Sequence, residues 1–193
     1  MDQQTVLQNT EKITKIIDTY MDDARRQAVL DMLEDIGDQY FTAPTSTRKD
    51  VGGAFNGGLV TQSLRVCYHL HNLNNLMDCN IPESSLMLVG LFHQLGRIGL
   101  KGCDLYLPQE SDWHKTKGIM YTVNEDLKGM TVRDRTLFLL QEYNIPLNPL
   151  EYQAILCWEG QYSDENKATR YRENPLALLL HWAYIWTATQ EKK

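Results

Sequence analysis

The sequence lacks the marks of several common functional classes. Its four cysteines, Cys67, Cys79, Cys103 and Cys157, form no CxxC pair, so neither a zinc knuckle nor a dithiol redox motif is offered. Reduced thiols in a cytoplasm are the expected state. No block of Lys and Arg makes a basic stripe, and the net charge is -6, which argues against a nucleic-acid duplex as partner. A small anion held by a few local cations stays open, because net charge says little about one pocket. The apolar runs, such as Leu86 to Phe92 and Leu176 to Leu180, are far too short to span a bilayer, so no membrane partner is expected. The polar start MDQQTVLQNTEK has no basic region followed by an apolar one, so no secretory signal is read there. Alternating β-branched runs joined by a tight-turn dipeptide are missing as well, which leaves little for a sheet.

What is present is helical. Among 193 residues, 42% are hydrophobic and 23% charged, as in one soluble domain with a sizeable core. Val6, Ile13, Ile16, Ile17, Tyr20 and Met21 recur at helical spacing, and Ala28, Val29, Met32, Leu33 and Ile36 repeat the pattern. Gly37 then reads as a helix C-cap. Phe41 to Gly58 is rich in Thr, Ser, Pro and Gly and reads as one long loop, of the kind that is often functional or mobile. Helices are expected from about Gly58 to Met77, from Pro82 through Leu95, over Thr131 to Tyr143, over Leu150 to Trp158, and from Pro175 to near Thr189. Residues 96–127 read as irregular or short-helical. The class is all-α, with an N-terminal helical segment over 1–37 and the remainder, 38–193, in the same globular unit.

Several segments resemble one family. FTAPTSTR (Phe41 to Arg48), GGLVTQSLRV (Gly57 to Val66) and LVGLFHQLGRIG (Leu88 to Gly99) are similar to the opening of the HD-domain phosphohydrolases of phages and bacteria, which typically read FTAPASTR, GGLLEHSLRV and ALLHDLCKIG. YTVNEDL (Tyr121 to Leu127), RDRTLFLLQEY (Arg133 to Tyr143), LNPLEYQAILCWEG (Leu147 to Gly160) and NPLALLLHWAYIWTA (Asn174 to Ala188) follow in the family's order. The resemblance covers roughly residues 38–189. It implies a single-domain HD-type helical bundle.

The resemblance also implies what has been lost. The family's chemistry needs a cation held by His and Asp side chains from separate helices, which polarises a phosphoryl oxygen and lowers the pKa of a bound water. Carried over residue by residue, the family's ligands fall on Gln62, His93, Gln94, Val132, Trp158 and Tyr184. Of these only His93 keeps its identity. A Gln amide brings one neutral oxygen and no charge to offset the dehydration of a divalent ion. The expectation is a chain with no metal, no cofactor and no catalytic residue.

The other polar clusters read as ordinary structure. His69 and His71 sit two apart on a helix and point about 200° apart, so they do not face one ion. His114 reads as a loop residue and His181 as a hydrogen-bonded core histidine. Asp31, Glu34 and Asp35 read as a solvated helix face. The pairs Gly52-Gly53 and Gly57-Gly58 lack the strand–turn–helix setting of a phosphate loop and read as backbone freedom.

The vacated metal position carries the functional expectation. Gln62, His93, Gln94, Trp158 and Tyr184 should converge, with Arg48, Arg65, Arg97, Lys101 and Trp113 at the rim. Either larger side chains fill the cavity, or it is a polar and aromatic site where a base stacks on Trp158 or Trp113 and arginines hold phosphates. The ligand expected is a nucleotide-type small molecule, for example a cyclic oligonucleotide immune signal sequestered by a phage anti-defence protein in the host cytoplasm. The alternative is a helical scaffold or homo-oligomer using residues 1–36 as its interface. Residual phosphohydrolase activity ranks last.

Overall fold

The computed structural model describes residues 3–127 and 129–192. Eight α-helices carry the architecture among them: α1 (Gln3–Tyr20), α2 (Asp23–Thr42), α3 (Gly58–Leu76), α4 (Glu83–Phe92), α5 (Asp112–Thr116), α6 (Val132–Glu142), α7 (Pro149–Cys157) and α8 (Pro175–Glu191). The chain is a mostly helical single domain.

Local sequence explains where these helices begin. Asp22 accepts from the Arg25 N–H at the start of α2. Thr131 with Asp134, and Asn148 with Glu151, form reciprocal capping boxes at α6 and α7. Pro149 and Pro175 occupy first-turn positions, where a missing N–H costs nothing.

Helix α4 is the axle of the core. Every residue from Ser85 to Phe92 is buried, as expected for a short helix that is apolar all round. It contacts α1, α3, α7 and α8. Ile13 and Ile17 of α1 and Val29, Met32 and Ile36 of α2 belong to the same hydrophobic cluster. Ile13, Ile17, Val29, Met32 and Ile36 are therefore spent inside the domain, while Leu7 stays exposed.

Two expectations are corrected. Gly37 does not cap α2, which runs on to Thr42 because Tyr40 and Phe41 continue the buried stripe. Pro44 follows soon after the helix ends and cannot continue it. Residues 96–127 also contain two small antiparallel ribbons: β1 (Gly99–Leu100) with β2 (Cys103–Asp104), and β3 (Tyr106–Pro108) with β4 (Tyr121–Val123). Strands this short carry no readable alternation.

The long loop is pinned rather than loose. Thr45 N–H donates to Gly53 O at 2.9 Å, and the Ser46 hydroxyl donates to Gly52 O at 2.5 Å. Lys49 N–H donates to Gly118 O at 2.9 Å, and Met120 N–H donates to Thr47 O at 2.8 Å, which zips the loop to the segment before β4. Gly53 has φ +67°, and a Cβ there would lie 1.7 Å from Thr45 Oγ1, so only glycine fits this crossing.

Candidate functional site: an amide-filled centre beside a cationic groove

The centre is built from the C-terminal end of α4, the second turn of α3, the C-cap of α7 and the middle of α8. Gln62, His93, Gln94 and Trp158 are buried, and Tyr184 is half-buried against the same cluster. Their hydrogen bonds run in one consistent direction. His93 Nδ1 lies 3.1 Å from Val89 O and 3.2 Å from Gly90 O, so Nδ1 carries the proton and Nε2 holds the lone pair. The Gln94 amide nitrogen donates to that Nε2 at 2.9 Å and to Gln62 Oε1 at 2.8 Å. The Gln94 amide oxygen in turn accepts from Arg97 Nε. Gln62 Nε2 donates to Glu191 Oε2 at 2.9 Å, and Arg65 Nη1 donates to Glu191 Oε1 at 3.3 Å.

Aromatic rings close the other side. Trp158 and Tyr184 meet edge to face with centroids 4.6 Å apart, and His93 stands edge-on to each of them, 5.6 Å from Trp158 and 6.1 Å from Tyr184. The Arg97 guanidinium lies 5.7 Å from the centroid of the Trp158 ring. Arg97 also donates to Thr45 O and, at 2.7 Å, to the Tyr106 hydroxyl. Trp158 Nε1 is buried with no hydrogen-bond partner among the described residues.

The electrostatics follow from this packing. Burial pushes His93 down from 6.5 to about 4, opposed by its two backbone carbonyls, so the imidazole is neutral at pH 7. Burial raises the Tyr184 phenol, and it raises the Glu191 carboxyl against the pull of Gln62 and Arg65.

The donor set does not fit a divalent cation. The Nε2 lone pair of His93 is taken by the Gln94 amide, and Tyr184, packed beside the same ring, offers a phenol and no carboxylate. Among the described residues no three His, Cys, Asp or Glu side chains converge as a metal site. Val132 starts α6, where its carbonyl faces the close crossing with Gly96. Gln62, His93, Gln94 and Trp158 are buried, and the first three are hydrogen-bonded to one another through Gln94.

A groove opens beside the centre, on the far side of Glu191. It encloses about 700 Å³ between the 48–55 loop, the start of α3, residues 117–118 and the end of α8. Arg48, Lys49, Arg65 and Lys117 face it together with Asp50 and Glu191. Asp50 pairs with Arg48 at 2.7 Å, and Glu191 pairs with Arg65. Among the described residues Lys49 and Lys117 make no ion pair. The backbone of Gly52, Gly53 and Gly118 and the exposed ring of Phe55 complete the walls.

The structure separates the residues expected at the rim. Arg97 joins the centre and is consumed by it, whereas Arg48 and Arg65 lie on the groove. Lys101 is elsewhere: it sits in the β1–β2 turn and pairs with Asp35 of α2 at 2.7 Å. Trp113, in α5, is exposed, packs on His114 and approaches the groove only through Lys117, whose Nζ is 6.0 Å from its ring. Proximity in sequence to a motif placed these two wrongly. Conversely Lys49, Lys117, Phe55 and Glu191 carry no signal in the sequence. Each reaches the groove through a loop crossing or a helix end far away along the chain.

Two of the remaining histidines, His71 and His181, are held by hydrogen bonds within the fold. His71 Nδ1 meets Glu83 at 2.9 Å. His181 Nδ1 donates to Trp158 O at 3.0 Å, and its ring lies where a Cβ on Gly160 (φ +86°) would be, at 2.3 Å.

No family model matches the chain, and neither a curated protein nor a solved structure matches it. What the geometry defines is a class: a helical single-domain protein with a neutral amide–imidazole centre and an adjoining cationic groove. Among the described residues no helix is long and apolar enough to cross a membrane.

Proposed function

We propose that this chain is a catalytically inactive relative of the HD-domain phosphohydrolases that binds a nucleotide-type ligand without turning it over. The supporting observation is the groove, where four cations face two carboxylates beside glycine backbone and one exposed aromatic ring. Such a lining suits a phosphate-bearing ligand with a base to stack. Its volume of about 700 Å³ falls inside the ~300–1,000 Å³ span of small-ligand sites. The inactive half of the reading rests on His93, whose lone pair is engaged by Gln94. The finer reading keeps the resemblance to phage proteins: a sponge for a cyclic oligonucleotide signal of host antiviral defence, holding the ligand by charge and stacking with no reactive water.

Calorimetry with linear and cyclic di- and trinucleotides tests this. Binding is expected for at least one member, weakened about tenfold or more by Arg65→Ala or Lys117→Ala, since a charge-assisted hydrogen bond is worth about 1.5–3 kcal/mol. Absence of binding to every member at micromolar concentration sinks the ligand reading. Robust phosphate release from any of them sinks the inactive one.

A further inference from the structure

We propose that a second pocket, formed where the 160–173 loop meets the first turns of α8, binds a quaternary ammonium cation. It encloses about 390 Å³ and shares no lining residue with the cationic groove. Tyr162, Tyr171 and Trp182 line it together with His181 and Glu173, and neither Lys nor Arg does. The three rings have faces to offer: Tyr162 and Tyr171 are 82% exposed and Trp182 43%. Among the described residues the cations that stack on a ring are Arg97 and Lys117, over Trp158 and Trp113, so these three faces are not already taken.

The chain holds this pocket in shape from two sides. On α8, His181 and Trp182 follow Ala177 and Leu178 by one helical turn, so one face of the helix lines it. The loop is braced by Asn166, which is buried: its Nδ2 donates to Gly160 O at 2.8 Å, and its Oδ1 accepts from Arg133 Nη1 at 3.1 Å. Gln153 of α7 holds the far end of the loop, donating to Arg172 O at 3.3 Å and accepting from the Asn174 N–H at 2.8 Å. Between these braces Tyr171 has φ +63°, a left-handed backbone that a residue with a Cβ adopts at a cost. The ring is thus set in place before a ligand arrives, which lowers the ordering cost of binding.

Charge and hydration select the ligand. Glu173 is the one Asp, Glu, Lys or Arg in the lining, and among the described residues its carboxylate makes no ion pair and no hydrogen bond. His181 donates through Nδ1 to Trp158 O and so leaves Nε2 as an acceptor. Two cations of the same loop are engaged with other partners: Lys167 with Asp164 at 2.9 Å, and Arg170 Nε with Gln161 O at 2.7 Å. The net charge of -6 favours a cation over an anion. Aromatic faces attract cations through the ring quadrupole. A primary ammonium is strongly hydrated, and ring faces replace few of the hydrogen bonds it gives up. A trimethylammonium group carries its charge under methyl carbons and has no N–H to satisfy, so rings and one carboxylate suit it. The same headgroup occurs on free choline and on a trimethylated lysine of a protein.

Calorimetric titration of the full chain with choline, and with a short peptide bearing trimethyllysine, tests the proposal. At least one is expected to bind with a Kd on the order of 0.1–1 mM, and the tighter of the two identifies the source of the headgroup. Ethanolamine, which lacks the methyl groups, and the uncharged analogue of choline with carbon in place of nitrogen are each expected to bind about tenfold more weakly. Tyr171→Gly, which suits the left-handed backbone, Trp182→Ala and Glu173→Gln are each expected to weaken binding about fivefold with an unchanged circular dichroism spectrum, whereas Tyr171→Phe keeps it. Absence of saturable heat from both trimethylammonium ligands at millimolar concentration overturns the proposal. Equal binding of ethanolamine or of the uncharged analogue also overturns it, as does binding that survives both Tyr171→Gly and Trp182→Ala. The pocket and the groove are titrated with different ligands, so failure of this proposal leaves the nucleotide reading to stand or fall separately.

Discussion

Gln94 and His93 are neighbours in the chain, yet their side chains meet at the functional atom: the Gln94 amide N–H points at His93 Nε2 from 2.9 Å. In a metal-binding centre that lone pair faces the ion. Here it is closed by an internal donor, and the same amide bridges onward to Gln62 and Arg97. A glutamine at position 94 therefore supplies no carboxylate and also occupies the lone pair of the imidazole beside it.

Gln94→Ala is expected to destabilise the protein by about 2–4 kcal/mol. It strands Gln62 Oε1, His93 Nε2 and Arg97 Nε in a buried site, and each orphaned polar group costs about 1–3 kcal/mol before relaxation. Urea denaturation measures this. A loss under about 0.5 kcal/mol, the size of an ordinary surface change, refutes the bridging role.

Manganese, magnesium or zinc ions should leave the melting temperature unmoved, and chelator should leave it unmoved too. An ion that binds only the folded state at 100 times its Kd adds about 2.7 kcal/mol, a shift that calorimetry reads easily. A metal-dependent rise abolished by His93→Asn contradicts the closed lone pair.

Acid should weaken the fold through His93. Above pH 6.5 the imidazole is neutral both folded and unfolded, so its burial carries no proton penalty. Below 6.5 the unfolded chain takes up a proton that the buried ring, held at about 4, refuses. Stability is then lost as the pH falls from 6.5 toward 4 and levels off below, by up to about 3 kcal/mol. Chemical denaturation at several pH values checks the slope, and His93→Gln should flatten it over that window. An unchanged slope in the variant assigns the pH dependence to other groups.

Glu151 joins three elements from a fully buried position. It accepts from Arg25 of α2 at 3.0 Å, from Ser85 of α4 at 2.7 Å and from the Asn148 N–H that caps its own helix at 2.9 Å. Glu151→Ala is expected to cost about 3–5 kcal/mol, because it leaves a nearly buried guanidinium uncompensated. Pairing it with Arg25→Met should recover part of the loss in a double-mutant cycle. No recovery means that the charge pair is not the source.

The helices were legible because each carries its signal locally. Thr131 and Asn148 cap α6 and α7, Pro175 opens α8, and the unbroken apolar run from Leu86 to Phe92 reads directly as the buried α4. Gly37 misled because a glycine's intrinsic preference is worth only about 1 kcal/mol, less than the burial of Tyr40 and Phe41 beyond it. The ribbons of residues 99–123 were hidden because pairs of two or three residues leave no period to read.

For the site, the sequence by itself determined the chemistry of the centre: with Gln, Trp and Tyr at Gln62, Gln94, Trp158 and Tyr184, no arrangement of those side chains supplies carboxylates. Only the tertiary structure decided that Gln62 and Gln94 bond to one another, that Arg97 is held by Gln94, and that Lys49 and Lys117 line a groove beside them. The reason is physical. Side-chain type travels with the chain, whereas which donor reaches which acceptor depends on α3, α4, α7 and α8 meeting in space, and those contacts join residues as far apart as Gln62 and Glu191.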